Sequence, residues 1–578
     1  IKLDRCQYHP GEVVEFIITF ERERLAEVVF DYLLIEIKDL DEVLYEKKFS
    51  FSSSILNNLI EGKYLKHSWE IPHDLKFIGL GLDISVIRDG QILGGSSTGF
   101  DVVEKWWQAP RYGFLATFEP EKADGVIKER LEIMKDFHIN IVQFYDWMYR
   151  HHQLLAEGKE YKDIFGRLLS LKIVKKQIEE CHKYGMLPLA YGAMYGAEKD
   201  FVEKHPDWIA GTRNKKGRNS LLDEHEEYIQ IMNIAGDCPW REHIVKEYCL
   251  AVNKVGFAGI HIDQYGFPRT YFSRVNGKNE LKDMGVEFGN FIEYCRREMG
   301  EETALIFNAV NNWPVEIVAN KPQNAVYIEV WPPHETYFHL WQLIVRAREL
   351  SGYKKQVILA AYISPLNKER DIPLEAGERT ARLTAAAIFA SGGFHLVLGE
   401  GDTLLTDAYY PQFRDVSPAF KQVLKNYYEV ITRYSKFLFH PELRDKSAIY
   451  SGGINEEIIL FKEGQKLNSG PNAEKDSVWT IVREKKEYKV LNLVNLFGID
   501  TVKWDQPQYH DPELLKDIRV EWLLDEEVGG IYWITPDRGD IRAVQLEFQR
   551  CNHSRGELLC FTIPELYYWG FVVIKVEV

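Results

Sequence analysis

The chain lacks the marks of several protein classes. Its seven cysteines, Cys6, Cys181, Cys238, Cys249, Cys295, Cys551 and Cys560, contain no C-x-x-C pair, so neither a zinc ribbon nor a disulfide framework is indicated. No apolar run approaches the ~20 residues that cross a bilayer, and no membrane span is expected. Positive charge is in deficit, with 71 Lys and Arg against 87 Asp and Glu and a net charge of -16. Such a field repels phosphate backbones, which argues against a nucleic-acid partner. There is no Gly-rich phosphate loop, no G-x-S-x-G elbow and no cysteine placed as a nucleophile, so phosphoryl and acyl transfer have little support. Asp146, His261, Asp263, Glu329 and Glu400 are carriers for a shared ion, but no H-x-H or H-E-x-x-H spacing accompanies them. No metal and no cofactor are expected. An odd cysteine count fits a reducing compartment, whereas the strand-like opening "IKLDRCQYHPGEVVEF" is compatible with a removed signal peptide.

What is present is aromatic and mixed. With 578 residues, 45% hydrophobic and 27% charged, the chain has the composition of a globular protein of two to four domains. Aromatic residues make up 13%, including 31 Tyr and 14 Trp. Most serve cores, but amphipathic rings also suit a neutral polyhydroxy ligand that offers CH faces for stacking.

Three grammars follow one another along the chain. Residues 1–107 alternate short β-rich runs ("EVVEFIITF", "VVFDYLLIEIKD", "GLGLDISVIRD") with turn residues, which predicts a small antiparallel sandwich. Residues 108–439 alternate apolar runs with amphipathic helical patterns such as Ile127, Leu131, Met134 and Phe137, the signature of βα units. Eight strands are expected, at 112–118, 139–147, 186–196, 258–266, 304–313, 325–331, 357–363 and 394–402, which argues for a (β/α)8 barrel. Gly185, Gly256, Gly300 and Gly352 are placed to close helices, and Ser417 with Pro418 to open the last one. Residues 440–578 return to β-runs and read as a C-terminal sandwich of Greek-key type. No flexible linker separates the parts, so rigid packing is expected.

In such a barrel the chemistry belongs at the C-terminal ends of the strands. The candidates are Asp146 and Trp147 on strand two, Tyr191 and Tyr195 on strand three, His261, Asp263 and Gln264 on strand four, and Asn308 with Asn311 on strand five. Glu329 and Trp331 end strand six, and Glu400 and Asp402 end strand eight. Arg150, His151 and His152 are expected at the periphery. Two carboxylates stand inside apolar runs, Asp263 in "AGIHIDQYG" and Glu329 in "AVYIEVWPP", where burial without a job or a partner is costly. Strands four and six are two apart on the ring, so these side chains face across a narrow mouth, as the acid and base of a retaining glycosidase do. The alternative for each is a helix cap or half of an ion pair. His261 shares a face with Asp263 by strand alternation, while Gln264 is expected to face away.

With those residues assembled, the chain resembles the enzymes of glycoside hydrolase family 66, the dextranases and cycloisomaltooligosaccharide glucanotransferases. The resemblance runs through "YHPGEVVEF", "RYGFLATF", "INIVQFYDWMYRHH", "LAYGAMYGA", "GFAGIHIDQYG", "YIEVW" and "IYWITPD", in that order. It implies an N-terminal immunoglobulin-like domain, a catalytic barrel and a C-terminal β-domain. It also implies endo-cleavage of α-1,6 links of dextran with retention, by an Asp nucleophile on strand four and a Glu acid/base on strand six. Those roles carry over to Asp263 and Glu329, with Asp146, Trp147, Tyr191, Tyr195, His261, Gln264, Asn308, Trp331, Glu400 and Asp402 contacting sugar. "HIDQYG" departs from the "GD" often found at the family's nucleophile, so that assignment rests on strand position. The family's glucanotransferases insert a carbohydrate-binding module after strand seven. Here "AAYISPLNKERDIPLEAGERTARL" leaves only an ordinary loop, which favours a dextranase over a glucanotransferase. A monomer acting on dextran or isomaltooligosaccharides, secreted or at the cell surface, is the corresponding expectation. The rival from another class is a noncatalytic glucan-binding protein.

Overall fold

Alternating burial along the first strands sets up an antiparallel sandwich: "VVEFII" at Val13–Ile18 turns every second residue inward. The computed structural model describes residues 1–20, 30–50, 64–212, 220–221, 229–407 and 411–577. The start of the expected run "VVFDYLLIEIKD" lies outside the described residues. Near the N-terminus, a three-stranded sheet (Lys2–Leu3, Val13–Ile18, Leu65–Glu70) faces a four-stranded one (Tyr32–Asp39, Glu42–Ser50, Ile78–Arg88, Gln91–Val102). Val14, Phe16, Leu33, Ile35, Leu82 and Phe100 fill the space between them.

A curled eleven-stranded sheet occupies the middle of the chain. Its strands are β1 (Tyr112–Leu115), β2 (Ile141–Phe144), β3 (Leu187–Ala193), β4 (Gly259–Asp263), β5 (Ala304–Val310) and β6 (Ala325–Glu329). They continue with β7 (Val357–Ala360), β8 (Phe394–His395), β9 (Leu398–Gly399), β10 (Thr403–Asp407) and β11 (Gln412–Arg414). β1 to β8 pair in parallel, each with its neighbour in sequence. β8 joins β7 through Leu359 and His395, and four residues later β9 joins β1 in parallel through Gly399 and Phe114. Segment 394–399 therefore pairs with β7 on one side and β1 on the other.

Local chemistry explains these bounds. β4 begins with glycine because a Cβ on Gly259 would lie 1.9 Å from the Ala304 carbonyl oxygen of β5. The expected helix-closing glycines 185, 256, 300 and 352 all have positive φ. Ser417 caps the helix Pro418–Arg433, its Oγ accepting from the Phe420 amide at 3.2 Å. The observed strands end earlier than the expected ones, because the chain bends away where polar residues begin. Asp146, Asn311, Asn312 and Glu400, each just past a strand, take positive φ.

The C-terminal part packs a five-stranded sheet against a seven-stranded one, with Leu460, Val482, Leu491, Trp522, Trp533 and Phe561 between them. Buried ion pairs tie the parts together. Arg111, just before β1, forms two 2.9 Å bonds to Asp101 of the N-terminal sandwich. Arg433 holds Asp83 at 2.7 and 3.0 Å, and Arg382 meets Asp537 of the C-terminal part at 2.8 Å. Among the described residues no helix is long and apolar enough to cross a membrane.

Candidate active site

Register brings the two isolated carboxylates together. Ala193 of β3 pairs with Asp263, Asn308 of β5 with Tyr327, and Val310 with Glu329, so Asp263, Asn308 and Glu329 lie at the C-terminal edge of three neighbouring strands. The Asn308 side-chain amide spans the gap. Its Nδ2 donates to Asp263 Oδ1 at 2.8 Å and to Glu329 Oε2 at 2.9 Å, and Tyr191 Oη donates to Asp263 Oδ2 at 2.8 Å.

Glu329 is buried and Asp263 half-buried at the strand edge, and loss of solvent sets their chemistry. Desolvation pushes the Asp263 carboxyl up to about 6, against hydrogen bonds from Asn308 and Tyr191 that favour its charged form. Glu329 rises to about 8, by desolvation first and by the neighbouring Asp263 charge second, with Asn308, Trp331 and Tyr362 donating against it. The pair is thus ordered: Glu329 holds its proton more tightly than Asp263. Environments that push two carboxyls apart in this way are those that assign acid and base.

The pair opens into a cleft. Of the expected site residues, Asp146, Tyr191, Tyr195, His261, Gln264 and Asn308 line it together with the two carboxylates. His261 sits at its floor, with Nδ1 2.7 Å from Tyr112 Oη and its ring edge-on to Tyr327. Burial lowers its pKa to about 3, so the imidazole is neutral. Gln264 lines the cleft instead of facing away, because β4 ends at Asp263 and strand alternation stops there. It reaches the carbonyls of Asn308 and Trp313, each at 3.2 Å. Trp331 stands beside Tyr362 with ring centroids 6.0 Å apart. Asn311 donates to the Pro332 carbonyl at 2.9 Å, away from the carboxylates.

Three expectations are corrected. Trp147 does not line the cleft: it is fully buried behind it, packed on Phe257 with its indole donating to the Tyr191 carbonyl. Glu400 turns toward the start of the sheet, accepting from the Ala116 and Thr117 amides and pairing with Arg130 and Lys122. Asp402 is a surface partner of Lys421 at 3.1 Å. Conversely, His151 is not peripheral. It lines the cleft, oriented by Glu198 Oε1 at 3.0 Å from Nδ1, and Glu198 also holds His152.

Gln143, Tyr145, Tyr265, Tyr327 and Tyr362, with Phe114, Phe165 and Ile229, complete the walls and were not singled out from the sequence. Gln143 carried a signal, a buried amide within "INIVQFYDW", and among the described residues its Oε1 has no hydrogen-bond partner. The tyrosines carried none, because a ring in an apolar run reads as core. Tyr145 packs on Tyr191 at 4.6 Å and on Phe114 at 5.2 Å.

Among the described residues no cation is bonded to either carboxyl, and an acid facing a base in a tyrosine-walled cleft can transfer protons to and from a bound ligand. Sequence comparison agrees: the chain belongs to glycosyl hydrolase family 66, whose profile matches residues 3–573. It is 22% identical over 720 aligned positions to a cycloisomaltooligosaccharide glucanotransferase of Niallia circulans, covering 99% of this chain and 71% of that protein. It is also 22% identical over 555 positions to a dextranase of Streptococcus salivarius, covering 84% of this chain and 66% of that protein. A solved structure of a Paenibacillus sp. cycloisomaltooligosaccharide glucanotransferase complexed with cycloisomaltoheptaose shares the fold, with TM-score 0.85, 20% identity and 99% of both chains covered.

Proposed function

We propose that this protein is an endo-acting dextranase that cleaves internal α-1,6-glucosidic links with retention of configuration. Asp263 attacks the anomeric carbon and Glu329 protonates the departing O6; Glu329 then takes a proton from the water that releases the glycosyl-enzyme. The observation that carries this reading is the carboxyl pair joined through one amide nitrogen. Hydrogen bonds of 2.8 and 2.9 Å to Asn308 Nδ2 keep the two oxygens within about 6 Å, close to the ~5 Å of retaining enzymes and short of what an inverting pair with a water between requires. Tyr191, Tyr195, Asp146, His261 and Gln264 bind sugar hydroxyls and faces. The curled sheet is read as a (β/α)8 barrel spanning 108–439, which the double-sided pairing of segment 394–399 supports. An immunoglobulin-like sandwich at 1–107 and a Greek-key sandwich at 440–578 flank it, and a secreted or cell-surface location goes with a polymeric substrate.

The second reading is a cycloisomaltooligosaccharide glucanotransferase, favoured by the likeness to the Niallia and Paenibacillus enzymes of that name. Against it, the connection from β7 to the helix Leu374–Ala390 is residues 361–373, with one short turn at Ser364–Leu366 and no module. The 720-position alignment is longer than this 578-residue chain, so the Niallia protein carries insertions within the matched region. Product analysis on dextran separates the two: linear isomaltooligosaccharides are expected, and mainly cyclic products would reverse the assignment. Dextran hydrolysis by wild type, Asp263→Gly and Glu329→Gln tests the site, with full activity in either variant overturning it. Unchanged dextran viscosity with binding retained would mark a noncatalytic glucan-binding protein.

A further inference from the structure

Far from the cleft in sequence, two cysteines meet on the C-terminal sandwich. The hairpin Phe548–His553 and Gly556–Leu566 pairs Cys551 with Leu558 and Gln549 with Cys560. Positions 558 and 560 lie two apart on one strand, so Cys551 and Cys560 project from the same face as diagonal neighbours. Their Sγ atoms are 3.9 Å apart. Cys551 is exposed and Cys560 is covered, with Arg519 Nη2 4.0 Å from its sulfur. Phe548–His553 is the outermost strand of its five-stranded sheet, so no further strand resists the small approach that a bonded distance of ~2 Å requires.

We propose that this pair is a thiol oxidation site that closes to a Cys551–Cys560 disulfide in the presence of a small-molecule disulfide such as oxidised glutathione. The exposed Cys551 thiolate attacks one glutathione sulfur, breaking the glutathione S–S bond and expelling one glutathione thiolate. The Cys560 thiolate then attacks Cys551 Sγ and expels the second. The protein pair loses two electrons, the oxidant gains them, and the two thiol protons go to the two departing thiolates. The new bond ties the edge strand to its neighbour and leaves five thiols from the seven.

The test is incubation of the full chain with oxidised glutathione, alkylation without reduction, intact mass measurement and peptide mapping. The expected result is a loss of two hydrogen masses, two thiols protected and a cross-linked peptide joining positions 551 and 560, with slower amide exchange along Phe548–His553. Cys560→Ser is expected to stop at one glutathione on Cys551. A wild-type chain that retains glutathione on Cys551 without a cross-link overturns the proposal. So does a folded chain with every thiol unmodified, or one that joins Cys551 to any other cysteine.

Discussion

Asp83 at a domain seam and the pair Asp263 and Glu329 in the cleft are carboxyl groups that their partners set apart. At the seam between the N-terminal sandwich and the helix Pro418–Arg433, Asp83 is buried, which alone would raise its pKa, yet the Arg433 guanidinium holds it below the usual carboxylate range. In the cleft, buried Glu329 and half-buried Asp263 are bonded by an amide, tyrosines and an indole, and both rise. At Asp83 the cation makes the carboxylate a fastener; at Asp263 and Glu329 neutral donors leave the group poised to exchange a proton.

The largest effect that probes this contrast is on chemistry. Asp263→Gly is expected to lower kcat on dextran by roughly 10⁴-fold with the fold unchanged, measured by reducing-end release and circular dichroism. At the seam the same logic predicts a loss of stability instead. Arg433→Ala strands Asp83 without its cation and is expected to cost about 3–5 kcal/mol in urea unfolding, while activity per folded molecule at 25 °C stays within about twofold. The double change Asp83→Asn with Arg433→Met is expected to recover much of that loss.

The pH profile sharpens the comparison further. Asp263 must be ionised, so kcat/KM falls as pH drops through about 6; Glu329 must be protonated, so it falls again as pH rises through about 8. Asn308 favours the charged form of both, so Asn308→Ala is expected to move both limbs to higher pH and to lower kcat by about 10²-fold with little change in KM. Smallest of all is Asp402→Asn. Its partnership with Lys421 is a surface pair, so activity and stability are expected to change by less than about 0.5 kcal/mol.

The same contrast separates what was legible in the sequence from what was not. Strand positions were legible because β-branched runs end where Asp146, Asp263, Asn308 and Glu329 begin, and the order of the runs brought the carboxylate pair to neighbouring edges. Glu400 looked equivalent in sequence, but its cation Arg130 lies 270 positions away and announces itself only in space. Trp147 and Tyr362 exchanged roles for a related reason: both are rings near a strand end, and only packing decides which one backs the cleft and which one faces it. Gln143 was within reach, since a lone amide in an apolar strand asks for a partner, and Gln264 was misdirected by carrying alternation one residue past the end of β4.

The most direct test of the carboxylate assignment is chemical rescue of Asp263→Gly with sodium azide, followed by NMR of the product anomer. Restored cleavage that yields a glucosyl azide of inverted configuration is the predicted result. Absence of rescue in a folded variant whose Glu329 is intact, or a product of retained configuration, would contradict Asp263 as the attacking group.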